Sequence, residues 1–398
     1  MAGLRRDVGG PAYRVGMRIL HTSDWHIGRT FHGHQTLVAL RTVLEALVSQ
    51  VRENAVDLVL VAGDVFDSAT PSADCYTLLT DTLVALRDAG ARVVVTSGNH
   101  DSAARLGFQS RLLREGIHVL TDPARLAEPV TVADAAGPVH VYGLPFLEPA
   151  LLRHEWPGVR TQEAAMTRAM ELVRADLATR GGRSVVMAHC FAAGVEPTAH
   201  LERDIQQGGL DVVPLSVFDG VDYAALGHIH GRARLEERVR YCGAPLHYGF
   251  GEGGKPRGSW LVDLDADGRV SASWLDLPVP RRLVTLRASL DDLLTDPRFD
   301  ADVDAWVQAE YTDTLPQRDV MRRLQQRFPH CALVVHAPAE RAASDGRSYA
   351  QRVRSARSDR ELFDAFLSHV REGEGATAME RELVADLLDE RVAAEVRA

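Results

Sequence analysis

Five short clusters of His, Asp and Asn stand out as the residues able to do chemistry: Asp24-Trp-His26-x-Gly28, Gly63-Asp64-x-x-Asp67, Gly98-Asn99-His100-Asp101, Ala188-His189 and Gly227-His228-Ile-His230. Seven of their side chains, Asp24, His26, Asp64, Asn99, His189, His228 and His230, are oxygen or nitrogen donors suited to divalent metals. One ion cannot use so many. Two ions sharing Asp64 can, each keeping a position open for water and substrate. The set lacks thiolates, which disfavours structural zinc, while mixed carboxylate, amide and imidazole donors suit Mn or Fe. Two ions about 3.5–4 Å apart are the usual arrangement for phosphate-ester hydrolysis. His100 follows Asn99, where another metal bond would crowd the site. Its ordinary pKa lies near working pH, so it reads as the general acid for the leaving oxygen. Asp67, on the adjacent strand end, is placed to orient that imidazole. A lone Asp-x-His carries little weight. The specificity lies in the ordered set.

Each cluster follows an expected strand. Arg18–Thr22 is a short apolar strand and Asp57–Ala62 a continuous apolar run typical of burial on both faces. Further strands are expected at Arg92–Thr96, Ser184–Ala188 and Asp222–Leu226, and a hairpin at Trp260–Leu264 and Val270–Trp274 around Asp267-Gly268. Leu37, Leu40, Leu44, Leu47 and Val51 form the stripe of a surface helix, and a second helix runs from Ser72 to Ala89, stopped by Gly90. Alternating strands and helices predict a layered α/β domain whose strand ends meet in one crevice. The other eleven histidines read as surface or structural, with His32, His34 and His247 left as groove candidates.

The α/β pattern ends near Pro278-Val-Pro280. A small module follows, with strands at Leu283–Ala288, Ala305–Tyr311 and Cys331–His336 and a helix over Pro316–Phe328. Residues 339–357 carry five Arg and no apolar periodicity, a basic linker. Two amphipathic helices close the chain, opened by the capping boxes Ser358-x-x-Glu361 and Thr377-x-x-Glu380. Their stripes, Leu362, Phe363, Phe366, Leu367 and Val370 against Met379, Leu383, Leu387 and Val392, are too large to cover one another and call for a partner. The expected organisation is an extension (1–16), an α/β domain carrying the five clusters (17–280), a small α/β module (281–338), the linker (339–357) and a helical pair (358–398), with Met17 as the expected start.

The 398 residues carry a net charge of −10 with 45% hydrophobic residues, which excludes a disordered chain and argues against a basic nucleic-acid coat. Four scattered cysteines form no zinc knuckle or disulfide framework, and neither a signal peptide nor a membrane span is expected, so a reducing cytoplasm is the simplest setting.

His21-Thr-Ser-Asp-Trp-His-Ile-Gly28, Gly63-Asp-Val-Phe-Asp67, Gly98-Asn-His-Asp101, His189 and Gly227-His-Ile-His230 resemble the motifs of calcineurin-like metallophosphoesterases. Glu202-Arg-Asp-Ile205, Val217–His230 and Tyr241-Cys-Gly-Ala-Pro-Leu-His-Tyr248 are similar to the SbcD family, nuclease subunits of bacterial SbcCD complexes. The resemblance implies a four-layer metallophosphoesterase sandwich with a small α/β capping domain and a C-terminal helical pair. It implies two Mn2+ ions (Mg2+ or Fe as substitutes), a 3′→5′ exonuclease on duplex ends and an endonuclease on single strands and hairpins. It also implies a homodimer that binds an SbcC-type ATPase as a two-plus-two heterotetramer associated with the nucleoid. Carried over, Asp24, His26, Asp64 and His230 would hold one ion, and Asp64, Asn99, His189 and His228 the other, with His100 as the transition-state histidine. Archaeal relatives carry a His where this chain has Asp67, so no second catalytic His is carried over. The cap would touch DNA. Leu362, Phe363, Phe366, Leu383 and Leu387 would dock the ATPase coiled coil. The rival readings are a metallophosphoesterase acting on nucleotides or phosphoproteins, and a non-catalytic scaffold for the ATPase.

Overall fold

The computed structural model describes residues 16–113, 116–193, 212–338, 353–354, 356, 358–371 and 375–397. The extension before Gly16, the Glu202–Ile205 motif and most of the basic linker lie outside them. The chain divides into two compact units, Met1–Leu283 and Val284–Ala398.

The first unit is built on two six-stranded sheets. One runs in the order Val270–Asp276, Gly258–Leu264, Met17–Thr22, Leu58–Ala62, Arg92–Thr96, Ile117–Leu120. The other runs Ala233–Arg234, Val239–Tyr241, Tyr223–Gly227, Arg183–His189, Gly137–Leu144, Val130–Asp134. The all-apolar strand Leu58–Ala62 shows why they stack. Leu58, Leu60 and Ala62 face the other sheet's Val139, Val185, Met187 and Tyr223. Val59 and Val61 pack beneath the helices Leu37–Glu53 and Ala73–Asp88 through Leu44, Leu47, Leu78 and Leu86. Each side chain so buried contributes roughly 1.5–3 kcal/mol. Helix Gln162–Arg180 covers the outer face of the second sheet with Ala165, Met166, Ala169, Met170 and Val173. The result is a four-layer α/β sandwich.

Three central strands of the first sheet pair in parallel, as do Arg183–His189 and Tyr223–Gly227 of the second. Their carboxyl ends carry all five clusters. The hairpin expected around Asp267-Gly268 pairs Gly258 with Asp276 through Leu264 with Val270, and Gly268 supplies the positive φ of its turn.

In the second unit, Trp306–Tyr311 lies between Leu283–Ala288 and Cys331–His336. Leu286, Leu293, Phe299, Val307, Leu324 and Phe328 form its core. The helix expected over Pro316–Phe328 is only Val320–Gln325, because Asp319 takes a left-handed backbone (φ 51°) just before it. Further on, Asp359–Val370 is capped by Ser358, whose hydroxyl accepts from Glu361 N (3.2 Å). Before Ala378–Arg397, Thr377 and Glu380 complete a capping box: Thr377 N donates to Glu380 Oε2 (2.8 Å) and Glu380 N to Thr377 Oγ1 (3.2 Å). Arg371 clasps Glu380 with two bonds (2.7 and 2.9 Å), tying the helices together. Leu362, Phe366, Val370, Met379, Leu383 and Leu387 stay exposed, and Phe363 and Leu367 half-buried. No helix among the described residues is long and apolar enough to cross a membrane.

Candidate metal centre

The loops that carry the clusters are laced by main-chain bonds. Asp24 N donates to Gly63 O (3.1 Å), His26 N to Asp64 O (3.0 Å) and Ile27 N to Val65 O (2.9 Å). Among the described residues, seven non-glycine residues have positive φ, and four of them are Asp24 (52°), His26 (44°), Asp64 (46°) and His228 (105°). Such backbone costs of order 1–3 kcal/mol per residue and persists where the surroundings hold it, typically at functional sites. Glycine serves at two close approaches. A Cβ on Gly98 would strike the Asp64 carboxylate, and one on Gly227 the Ala62 carbonyl.

All seven candidate ligands meet. Asp64 Oδ2 lies 3.3 Å from His189 Nε2 and 3.6 Å from His26 Nε2, between two groups of donors. On one side His26 Nε2 faces His230 Nε2 at 3.0 Å, and Asp24 is within ligand range of both. On the other, Asn99 Oδ1 is 3.0 Å from His189 Nε2 and 3.0 Å from His228 Nδ1. Asp24 also reaches Asp64 and His189, so it touches both groups. Asp24, His26, Asp64, His189 and His230 are buried, whereas Asn99 is exposed and His100 and His228 are half-buried. The cluster therefore opens to solvent on the Asn99–His100–His228 side.

Proton positions follow from the partners. His189 Nδ1 lies 3.0 Å from the Ala62 carbonyl, which can only accept, so Nδ1 carries a proton and Nε2 is the nitrogen turned to the oxygens of Asp64 and Asn99. Burial would lower His189, yet the Asp64 carboxylate lifts it to about 9, so in the metal-free chain a proton on Nε2 stands where a cation would, and metal binding would displace it. Burial would raise Asp64, yet His189 and His26 hold it well below the usual carboxylate range. Burial pushes Asp24 up to about 7, with Asp64 adding to the effect and His189 opposing it. Burial pushes His26 down, His230 far down and His228 to about 3, keeping these imidazoles in the neutral form that binds metal. The donor set fits divalent metal ions.

Asp67 departs from its expected role. Its carboxylate Oδ1 is 3.9 Å from His100 Nδ1, beyond hydrogen-bond range, and lies instead 3.2 Å from both His26 Nδ1 and Arg29 Nη1. His100 Nδ1 donates to the main-chain carbonyl of Asp67 (3.0 Å), so the loop and not the side chain orients the ring. The cause is local. Val65–Asp67 passes alongside Ile27, with Asp67 N donating to Ile27 O (3.2 Å), which turns the carboxylate toward Arg29.

Motif reading alone assigned no role to several neighbours. Asp101 accepts from Val65 N (3.0 Å), Phe66 N (2.8 Å) and Gly98 N (2.9 Å), clamping the Asp64 loop to the Asn99 loop. Burial pushes its carboxyl up to about 6. Ser23 Oγ donates to Asp24 Oδ2 (2.5 Å) and His228 N to Asp24 Oδ1 (2.9 Å). The position of Asp101 inside Gly98–Asp101 was the available signal. Of the groove candidates, His32 is exposed, His34 half-buried, and His247 buried with Nε2 donating to Lys255 O (2.8 Å).

The calcineurin-like phosphoesterase family matches residues 17–232, more than half of the chain. The chain belongs to this family. Its members work through a dimetal centre, for which the clustered carboxylates and imidazoles are the candidates here. Residues 279–371 match the SbcD C-terminal domain, described as a type 5 capsule protein repressor C-terminal domain. Similar solved structures include a dimetal phosphatase from Danio rerio (12% identity, 66% of this chain and 96% of that one, TM-score 0.40). A Thermus thermophilus protein shares 12% identity over 65% of this chain and 99% of its own (TM-score 0.37). At these low scores they add nothing to the family match.

Proposed function

We propose that the chain is a dimetal-dependent DNA nuclease, a 3′→5′ exonuclease on duplex ends and an endonuclease on single strands and hairpins. In this reading it works with an SbcC-type ATPase in DNA end processing. The observation that carries the phosphodiester chemistry is Asp64 Oδ2 between His189 and His26, with His100 N donating to Asp64 Oδ1 (2.9 Å). Two divalent ions held there, with manganese the best match to the donors, would supply the charge that neutralises phosphate oxygens and activates a water. One is assigned to Asp24, His26, Asp64 and His230, the other to Asp64, Asn99, His189 and His228.

The chain's own groups do the rest. His100, half-exposed at the open side, is held through Nδ1 by Asp67 O, so Nε2 is the nitrogen that delivers a proton to the leaving oxygen. Asp67 and the Ala62 carbonyl fix the rings of His26 and His189 from behind. The match over 279–371 favours a nuclease over an esterase acting on nucleotides or phosphoproteins, because a small substrate has no use for a cap or an ATPase dock. The exposed stripe Leu362, Phe366, Leu383 and Leu387 is the proposed dock, and a homodimer completes the assembly.

Incubation with Mn2+ and labelled hairpin DNA, with nitrophenyl phosphodiesters in parallel, tests the proposal. It expects DNA cleavage. Ester hydrolysis with intact DNA, even when the ATPase is present, contradicts it.

A further inference from the structure

Behind His230 lies a buried ion pair that none of the motifs contains. Glu252 (1% exposed) and Arg257 (3% exposed) meet at 3.1 Å between Oε1 and Nη2. Oε1 is also 3.7 Å from His230 Nδ1. Arg257 Nη1 donates to the main-chain carbonyl of His230 and lies 3.4 Å from Ala244 O. Glu252 Oε2 accepts from Tyr248 N (2.6 Å) and Gly249 N (3.2 Å), capping the turn at Phe250–Glu252. His230 Nδ1, Glu252 Oε1 and Arg257 Nε and Nη2 are buried without an aligned hydrogen bond.

Burying two charges is costly, and a buried pair often gives no more stability than apolar residues of the same volume. This pair stands against both ends of one residue: Arg257 bonds the carbonyl of His230, and the Glu252 carboxylate faces its ring from 3.7 Å, an electrostatic contact outside hydrogen-bond range. A carboxylate behind an imidazole keeps the proton on the near nitrogen and aims the far nitrogen outward. Here the far nitrogen is Nε2, 3.0 Å from His26 Nε2.

We propose that Glu252 and Arg257 are positioning residues that hold His230 as a ligand of the metal ion it shares with Asp24, His26 and Asp64. The proposal rests on the dimetal reading of the site. It extends the centre to a loop outside all five motifs, tying ion occupancy to the turn at Tyr248–Glu252.

Glu252→Gln is the discriminating variant. Its amide oxygen can still accept from Tyr248 and Gly249, so the turn stays capped. Its NH2, however, presents a donor to His230 Nδ1, which favours the tautomer with the proton on Nε2 and blocks that ligand. Mn2+ titration of the full chain, followed by electron paramagnetic resonance, reads the two ions without reference to activity. The wild-type chain should take up two ions. Glu252→Gln should bind one of them about 10–100-fold more weakly and the other normally. Arg257→Lys, which keeps the charge but loses the fork, should weaken the same ion by less. Folding of each variant is checked by circular dichroism, and Arg257→Lys carries the test if Glu252→Gln does not fold. Two ions bound with wild-type affinity by the folded variants overturn the positioning role. A wild-type chain that binds no manganese overturns the metal reading itself, and this role with it.

Discussion

Asp101→Asn measures how far the site depends on the clamp between its two central loops. The carboxylate accepts three main-chain bonds of 2.8–3.0 Å, one through Oδ1 from Phe66 and two through Oδ2 from Val65 and Gly98. An asparagine can turn its carbonyl oxygen to the Val65–Gly98 pair and keep two of them. Its NH2 then opposes Phe66 N, so one charge-assisted bond is lost, about 1.5–3 kcal/mol, and a donor is left unpaired, about 1–3 kcal/mol. Asp101 is half-buried, so water compensates part of this and the expected loss is about 2–4 kcal/mol. Urea unfolding of the metal-free protein at pH 7.5 reads it directly. The loops that separate carry Asp64 and Asn99, so manganese uptake should weaken as well. A variant within about 0.5 kcal/mol of wild type, with unchanged uptake, would refute the clamp, since surface substitutions are usually that small.

Further outcomes follow from the same geometry. His100→Ala should abolish hydrolysis while metal content, measured by elemental analysis, stays at the wild-type level; surviving activity would remove the acid role. Ending the chain at Arg357 should spare manganese-dependent cleavage and lose co-purification with the ATPase, and a truncated chain still retaining the partner would place the dock elsewhere. His21, between the sheets, donates from Nε2 to Leu226 O (3.1 Å) and accepts at Nδ1 from Tyr223 OH (2.9 Å), and burial pushes its pKa from 6.5 down to about 3. Below pH 6.5 the unfolded chain gains a proton that the folded chain refuses, so stability falls with pH until about 3. Between pH 7 and pH 5 this amounts to about 2 kcal/mol at 1.36 kcal/mol per pH unit. His21→Gln should lose that much less over the same range in urea unfolding, and equal losses would assign the slope to other groups.

What the sequence made legible is what its local chemistry controls. Leu58–Ala62 has no polar residue, so it must be covered on both faces, and the clusters at strand ends follow from parallel pairing. The seven donors were visible because each sits in a Gly- or His-marked turn. Helix Gln162–Arg180 escaped notice because its buried face is largely Ala and Met, giving little apolar contrast. Strands Val130–Asp134 and Gly137–Leu144 were hidden by Gly, Pro and Asp residues. The target of the Asp67 carboxylate, Arg29 and His26 in place of His100, depends on how two loops cross, which spacing along the chain does not encode. Glu252 and Arg257 carry no motif. Only the fold brings them behind His230.

The central claim is that one carboxylate, Asp64, serves two ions at once. Anomalous diffraction from crystals grown with manganese tests it most directly. Two peaks about 3.5–4 Å apart should flank Asp64, one toward His26 and His230 and the other toward Asn99, His189 and His228. A single peak, or peaks that leave Asp64 out of reach of one ion, would contradict it.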